Sequence, residues 1–458
     1  LKPFCLKPQS LSSPTTIQPP LWYTVSVAAM GAWHSSLPAE ARKGGAHPTS
    51  AFFCSDRPLD NRAAWAAEAS GKGVGWYKLE AAGGMNEGIC IHDIDLAREF
   101  LNSHDGVHGR LCKIPAATDA PTGSAAHLEH CLLRHSMTCA AEPSWSQQRA
   151  IISRALKHRS ACRVDVAGGA AVLESLLGGA EALTRPEAGV DISDTVYTLA
   201  ANGICTLVLG TSAAAPALLE LWRRGRLPQD EVTPASRRLA AAAAGELGAA
   251  VREAYTAMQS GPEADMDGEL QKTSLMACCL ASRSVAEEDL TDEEIVDNCT
   301  SFLMAGFETT ALISVLTLLH LACHGEPLQE ACASEASMGQ VVQIQAAVRE
   351  TLRLYPPVVT LVRSVCHPEG VALGDLRLPH GTRVAVCLAA AARLSGSPSW
   401  QPGSAEDSCS APFGVGPRAC PAGTIAVRLS TDIVAFFLSM YVLSPPASSS
   451  TYGCPYPW

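Results

Sequence analysis

The stretch Phe413–Ala422 reads FGVGPRACPA and places one cysteine, Cys420, in a loop of glycine and proline. Arg418 precedes the cysteine by two residues, and an apolar stretch of helical character follows from Thr424. A cysteine thiolate is a soft, strongly donating ligand that needs nearby cations or N–H donors to stay ionised. A loop that ends at a helix N-terminus supplies such donors and the positive end of the helix dipole. The arrangement suits an axial thiolate on a haem iron; a buried structural cysteine in a tight turn is the alternative.

Composition limits the class of protein. The chain has 458 residues, of which 47% are hydrophobic and 17% charged, so a large buried core is feasible. The formal net charge of −11 argues against nucleic-acid binding as the main function. The 18 cysteines are scattered without regular pair spacing, which favours reduced intracellular thiols over a disulfide framework.

Two regions differ in their sequence pattern. Residues 1–75 are rich in Pro, Gly and Ser, and we predict a leader that is loosely ordered or resembles a targeting segment. Residues 76–458 are predicted to form a single domain, mostly α with a minor β part. The apolar piece Leu21–Trp33 is shorter than the ~20 residues that span a bilayer, so no N-terminal anchor is seen. We expect an intracellular protein, with the endoplasmic reticulum membrane or an organelle as possible locations.

Periodicity predicts the main elements of that domain. Short strands are expected within residues 75–91 and 371–387. The predicted helices include residues 93–102, an Ala-rich segment at 239–258 and a long helix from Thr291 to about His320. Thr291 and Glu294, three residues apart, form the capping box that predicts the start of the long helix.

The middle of the long helix carries residues that cost an apolar helix stability. Ala305–Thr310 reads AGFETT, with a glycine, an acid and two hydroxyls. These polar groups could face solvent or a neighbouring helix. The functional alternative is that Gly306 lets a flat ligand or dioxygen approach the backbone, while Thr309 offers a hydroxyl and Glu308 an acid–base group.

Two further pairs lie one helical turn apart. Glu350 and Arg353 share one face of a helix that ends before Pro356; alone, such a pair is most often a surface salt bridge of little energetic value. Trp145 and Arg149 share a face of an earlier helix, where a Trp–Arg stacking pair would be an adequate explanation.

The four motifs together, in this order, resemble those of the cytochrome P450 superfamily. The cysteine stretch is similar to the family's haem-binding signature at Phe413, Gly416, Arg418 and Cys420, with Ala422 where glycine is commoner. The resemblance implies a P450-like fold and a haem domain at residues 76–458. It also implies haem b (heme, iron protoporphyrin IX), with the Cys420 thiolate as the axial metal ligand.

The resemblance assigns roles to the other motif residues. Glu308 and Thr309 would be the catalytic acid–alcohol pair, beside Ala305 and Gly306 at the haem. Glu350 and Arg353 would be a structural lock on the cysteine loop. The residues expected to bind the haem propionates are Trp145, Arg149, Arg363 and Arg418, and position alone suggests Val358 or Val359 as pocket residues.

The implied function is a haem-thiolate monooxygenase that inserts one oxygen atom from O2 into an apolar organic substrate. Electrons would come from a redox partner, an NADPH-P450 reductase or a ferredoxin, docking near the cationic segment Arg149–Arg163. Two alternatives stay open: a haem-thiolate isomerase or dehydratase, and a degenerate, non-catalytic P450-like binding protein.

The sequence departs from the family pattern before the cysteine. The family carries an arginine in the preceding loop, the meander, that completes a triad with the Glu and Arg of the lock. No arginine lies between Leu394 and Pro417. We therefore expect a shortened meander and a shortened C-terminal region.

Overall fold

The computed structural model describes residues 4–6, 46–48, 66, 69–71, 74–80, 88–104, 111–112, 132–157, 192–225, 233–260, 274–282, 290–323, 326–396, 399–403 and 410–443. Most of the predicted leader, residues 1–75, lies outside these ranges. So do Arg159 and Arg163 of the predicted docking segment.

Helices dominate the described residues, as the sequence predicts. In chain order they are α1 (Ile94–His104), α2 (Ser144–Lys157), α3 (Ser193–Leu209), α4 (Ala215–Gly225), α5 (Pro234–Ser260), α6 (Leu275–Ser282), α7 (Asp292–Cys323), α8 (Glu326–Ser337), α9 (Val342–Leu354), α10 (Leu388–Ser395) and α11 (Gly423–Met440).

The β part is small and consists of short strands. They are β1 (Phe4–Leu6), β2 (Ala46–Pro48), β3 (Trp76–Glu80), β4 (Gly88–Ile91), β5 (Leu111–Cys112), β6 (Thr360–Val365), β7 (Val371–Leu373), β8 (Leu376–Leu378), β9 (Arg383–Cys387) and β10 (Tyr441–Leu443). One mixed sheet has the strand order β2-β3-β4-β9-β6-β5, while β1 pairs with β10 and β7 with β8. The observed architecture, mostly α with a minor β part, confirms the predicted fold class.

The long helix α7 is the centre of the helical core. It packs against α3, α9 and α11, and Phe307, Ala311 and Leu303 are almost fully buried. An aromatic cluster joins it to α3 and α4, since Tyr197 stacks on Trp222 at 3.9 Å between ring centroids and both rings meet Phe307 edge-on. Such packing holds the middle of α7 rigidly.

The start of α7 follows the predicted capping box. The Thr291 backbone N–H donates to Glu294 Oε2 at 2.9 Å, and the Glu294 N–H donates to Thr291 Oγ1 at 3.1 Å. Both contacts satisfy donors that the first turn of a helix otherwise leaves unpaired. The prediction for this boundary is confirmed, because α7 begins at Asp292.

Among the described helices, α7 alone is long and apolar enough to cross a membrane by length and composition. Its burial among α3, α9 and α11 is that of a core helix of a globular domain. The cysteines in this part of the chain are mostly free thiols, as expected from their scattered spacing. Cys366 departs from that expectation, because it is disulfide-bonded.

Candidate functional site

The loop before α11 is shaped by two glycines in the left-handed region. Gly414 and Gly416 have φ angles of +70° and +79°. Residues that carry a Cβ adopt such positive φ angles only with strain. A Cβ at Gly416 would also lie 2.6 Å from the Leu101 carbonyl oxygen of α1. The loop closes on itself where the Cys420 backbone N–H donates to the Phe413 carbonyl at 2.8 Å. Position 416 therefore requires glycine.

Cys420 lies at the N-terminal end of α11, with its side chain exposed. Desolvation nevertheless raises the pKa of its thiol, while the Ala422 backbone N–H and the positive charge of Arg149 act in the opposite direction. The sulfur thus combines an exposed side chain with surroundings that disfavour its charged form. The N–H donor and the cation would stabilise a thiolate there.

Helix α2 brings the predicted propionate-binding residues beside the cysteine loop. The Arg418 guanidinium lies over the Trp145 ring, with its central carbon 4.3 Å from the ring centroid. Arg149, half-buried on the same helix, is close enough to Cys420 for their charges to interact. The structure thus brings Trp145, Arg149, Arg418 and Cys420 together. The stacking partner of Trp145 is Arg418.

The middle of α7 is exposed at Ala305, and we call this exposed position the opening. This residue is exposed, although Leu303 and Phe307 beside it are buried. One turn later, the Thr309 hydroxyl donates to the Ala305 carbonyl at 2.7 Å. Glu308 is half-buried next to it. The acid–alcohol pair therefore lies on the turn of α7 that follows the opening.

Gly306 has a packing role that the sequence did not indicate. The sequence suggests that this glycine admits a flat ligand or dioxygen, but a Cβ at Gly306 would lie 2.7 Å from Ile204 Cδ1 of α3. The missing side chain thus lets α3 pack closely on α7, while the approach of a flat ligand to the half-buried Gly306 backbone stays a prediction. The exposed residue in this turn is Ala305.

Glu350 and Arg353 form a buried, two-point ion pair on α9. Arg353 donates from Nε to Glu350 Oε2 at 2.8 Å and from Nη2 to Oε1 at 2.9 Å. Arg353 also donates from Nη1 to the Ala392 carbonyl of α10 at 3.3 Å. In the loop without an arginine, the Gln401 backbone N–H donates to Glu350 Oε1 at 2.9 Å. The buried carboxylate thus gains a third hydrogen bond from the main chain of that loop.

Arg363 lies on β6, in the sheet beside the cysteine loop. The same strand reaches the loop through Leu361, whose Cδ1 is 3.3 Å from where a Cβ of Gly414 would be. Residues two apart on a strand share a face, so Arg363 is on the side of β6 that adjoins the loop. Its side chain is buried, and Nη1 donates to the Val362 carbonyl at 3.1 Å. Val358 is half-buried just before the strand.

The sequence did not indicate two groups of residues that hold the site's elements together. The first is Trp400, whose indole N–H donates to Thr351 Oγ1 of α9 at 3.0 Å. The second joins α2 to α7, where Asn298 Nδ2 donates to Gln148 Oε1 at 2.7 Å. A tryptophan in a loop rich in Ser, Pro and Gly was the available signal for Trp400. The amides of Asn298 and Gln148 carried no comparable signal.

The residues present fit a haem. Within the described ranges, no group of three or more His, Cys, Asp and Glu side chains could hold a bare metal ion. A haem iron needs only one ligand from the protein, and Cys420 offers an exposed sulfur. Arg418 and Arg149 lie beside it as partners for carboxylates such as the haem propionates.

Comparisons with known proteins all point to cytochromes P450. The family model described as "Cytochrome P450" matches residues 236–394. The chain is 28% identical to cytochrome P450 714C1 of Oryza sativa subsp. japonica over 36% of this chain and 35% of that protein. It is 22% identical to the cytokinin hydroxylase of Arabidopsis thaliana over 84% of this chain and 78% of that protein. The chain thus spans little more than a third of the length of several of the curated relatives it matches.

Solved structures show the same fold. The cytochrome P450DA heme domain superposes with a TM-score of 0.65 at 16% identity, covering 85% of this chain and 88% of that one. A zebra fish cytochrome P450 solved with progesterone gives a TM-score of 0.61 at 17% identity, covering 82% of this chain and 92% of that one. The family-model match, the curated relatives and the shared fold all support the cytochrome P450 superfamily for this chain.

Proposed function

We propose that this protein is a haem-thiolate monooxygenase that inserts one oxygen atom from O2 into an apolar organic substrate. The observation that carries the proposal is the position of Cys420. Its side chain is exposed at the N-terminal end of α11, next to the Ala422 N–H and the Arg149 charge. Desolvation raises the pKa of the free thiol, so a bound iron would take the place of the thiol proton. The N–H and the cation would then stabilise the thiolate, and the similarity to cytochromes P450 supports haem as the group that binds there.

Different residues of the chain would bind the cofactor and transfer protons. When bound, haem b supplies an iron centre that activates dioxygen. Cys420 would bind its iron, and Arg149 and Arg418 would bind the propionates as charge-assisted donors. Glu308 would hold and pass protons from its half-buried carboxyl group, with the Thr309 hydroxyl next to it as the second proton carrier.

An apolar substrate suits the residues around the opening in α7. Ala305 offers an exposed methyl group there. Val358 and Val359 are half-buried after the double proline and are further candidates for contact with substrate. Excluding water from such a pocket favours oxygen chemistry over side reactions.

Electrons would be delivered from the side of the cysteine loop. Arg154 is exposed on α2, the helix whose Trp145 contacts Arg418 of that loop. An acidic donor, a flavoprotein reductase or a ferredoxin, would be steered to this helix by its positive charge.

The decisive experiment is the carbon monoxide spectrum. We expect the purified protein, reduced and exposed to carbon monoxide, to show the strongly red-shifted Soret band of a thiolate-ligated haem. Cys420→Ser should lose that shift, and Cys323→Ser, a substitution at another exposed cysteine, should keep it. A protein that binds no haem would contradict the proposal.

Turnover separates the monooxygenase from its alternatives. With a reductase and NADPH, the protein should form a product that carries one oxygen atom from labelled O2. A product formed without any electron donor would instead identify an isomerase or a dehydratase. Haem binding without any product across apolar substrates would favour a binding protein.

A further inference from the structure

Four planar groups form a continuous stack beside the C-terminal end of α9. The Arg393 guanidinium lies over the Tyr355 ring at 4.7 Å. Tyr355 stacks on His320 with ring centroids 4.9 Å apart, and His320 stacks on Trp400 at 5.2 Å with an interplanar angle of 9°. These residues come from α10, from the residue after α9, from α7 and from the loop after α10. The stack therefore ties the start of that loop to three helices.

Hydrogen bonds fix both ends of the stack to α9. Arg393 donates from Nε and Nη2 to the Leu354 carbonyl at 2.9 and 2.7 Å, and so satisfies a carbonyl in the last turn of the helix. At the other end, the Trp400 indole N–H donates to Thr351 Oγ1 at 3.0 Å. Trp400 is 6% exposed, so its ring and its N–H are both held in place.

The position of Trp400 determines where the next residue lies. Gln401 follows it directly, and its backbone N–H donates to Glu350 Oε1. Glu350 is 5% exposed and ionically paired with Arg353. A buried carboxylate is stable only when it is well supplied with donors. Trp400 thus presents a main-chain donor to the ion pair of α9.

The same loop leads to the cysteine. Residues 402–410 lie between Gln401 and Ala411, which is buried in the apolar cluster of the sheet. From there the Gly414 N–H donates to the Ala411 carbonyl at 2.9 Å, and the Cys420 N–H donates to the Phe413 carbonyl at 2.8 Å. The segment that carries Cys420 is therefore anchored upstream at two places, Trp400–Gln401 and Ala411.

We infer that Trp400 is a positioning residue that, through the Arg393–Tyr355–His320–Trp400 stack and its bond to Thr351, fixes the Cys420 loop on α9. Its side chain thereby holds in place a loop that contains no arginine. The inference rests on the proposed function only in the experiment that uses the haem spectrum to measure the order of the Cys420 loop. A tryptophan that merely fills the core would stabilise the fold without ordering the loop, and this difference can be measured.

The test compares Trp400→Phe, Trp400→Leu and Thr351→Val with Gln329→Leu as the matched control. Gln329 is equally buried on α8 and exchanges two hydrogen bonds with Leu443 of β10, at 3.0 and 2.6 Å, but it has no part in the stack. Trp400→Phe keeps a ring on His320 and removes the N–H. Thr351→Val removes the acceptor at nearly constant volume, so both conservative variants should fold.

Amide hydrogen exchange on the haem-free protein directly measures how well the Cys420 loop is ordered. We expect exchange in the peptide that contains residues 411–420 to rise about tenfold in Trp400→Phe and in Thr351→Val. Trp400→Leu should raise it further, and Gln329→Leu should leave it unchanged. The double variant Trp400→Phe/Thr351→Val should exchange no faster than either single variant, because both break the same bond.

The haem-loaded protein supplies the second measurement. Well below the melting temperature, Trp400→Leu should convert part of the red-shifted carbon monoxide band to an unshifted one, while Gln329→Leu should not. If exchange in residues 411–420 is the same in Trp400→Leu, Gln329→Leu and wild type, the inference is overturned. A wild-type protein that binds no haem would contradict the proposed function, and the exchange experiment would still decide the role of Trp400.

Discussion

Glu350 and Arg353 form an ion pair in which both side chains are almost completely buried, with exposed fractions of 6% and 1%. Removal of one partner leaves the other charged group buried without compensation, which costs about 3–5 kcal/mol. We therefore expect Arg353→Met to lower the free energy of unfolding by that amount in urea denaturation of the haem-free protein.

An exposed Glu–Arg pair on another helix serves as the control. Arg224 and Glu220 are 2.6 Å apart, with 45% and 37% of their side chains exposed. Arg224→Met should change the free energy of unfolding by less than about 1 kcal/mol, because exposed ion pairs are weakly stabilising. Equal effects of the two substitutions would show that the buried pair is not a structural lock.

His92 makes the sheet region sensitive to acid. Its ring is 2% exposed and stacks on Tyr77 at 5.8 Å. Desolvation lowers its pKa from 6.5 to about 4, against the smaller opposing effects of Asp93 and Val74. The folded pKa is thus below the unfolded one, so the stability from neutral His92 is complete above pH 6.5. It is lost as the pH falls from 6.5 towards 4.

That loss amounts to about 3 kcal/mol at the acid end of the range. We expect His92→Phe, which keeps a ring on Tyr77, to flatten the fall in unfolding free energy between pH 6.5 and 4. His380→Gln, at an exposed histidine, should leave the pH profile of the wild type unchanged. A His92→Phe profile as steep as that of the wild type would contradict the prediction.

Glu294 has two structural roles at the start of α7. Its Oε2 accepts the Thr291 N–H of the capping box, while Oε1 accepts Ser144 Oγ at 3.1 Å and Gln148 Nε2 at 2.9 Å from α2. Thr291→Ala loses the cap alone and should cost about 1 kcal/mol. Glu294→Ala loses the link to α2 as well and should cost about 2–3 kcal/mol.

Thermal melting of both variants measures this difference. Glu293→Ala is the control, because Glu293 is exposed in the same turn of α7 and contributes only to the helix dipole, worth less than about 1 kcal/mol. If Glu294→Ala and Thr291→Ala melt at the same temperature, the hydrogen bonds from Ser144 and Gln148 of α2 to Glu294 do not contribute to stability.

Local sequence patterns predicted the parts of the site that are built from neighbouring residues. The start of α7 follows from Thr291 and Glu294, which cap the same helix turn. The loop at Cys420 needs glycine at position 416, because the backbone there has a positive φ. Both features depend on residues within a few positions of each other, which is why spacing alone could reveal them.

Features that depend on contacts between distant segments could not be predicted. Trp400 and Thr351 are 49 residues apart, and only the fold brings the indole to the hydroxyl. The close approach of Ile204 of α3 to Gly306 depends on which helix packs on that face of α7. The sequence pattern locates the glycine on α7, but it does not say which neighbour occupies the space beside it.

Glu308 offers the sharpest test of the proposed chemistry. It lies half-buried on α7, beside Thr309 and about one turn after Ala305. If its carboxyl group passes protons during turnover, Glu308→Gln should reduce product formation about 100-fold, the usual scale of acid–base catalysis. The red-shifted carbon monoxide band should persist, because the cysteine loop is unchanged. Glu293→Gln, at the exposed start of the same helix, should retain full activity; an active Glu308→Gln would assign the proton transfer to another group.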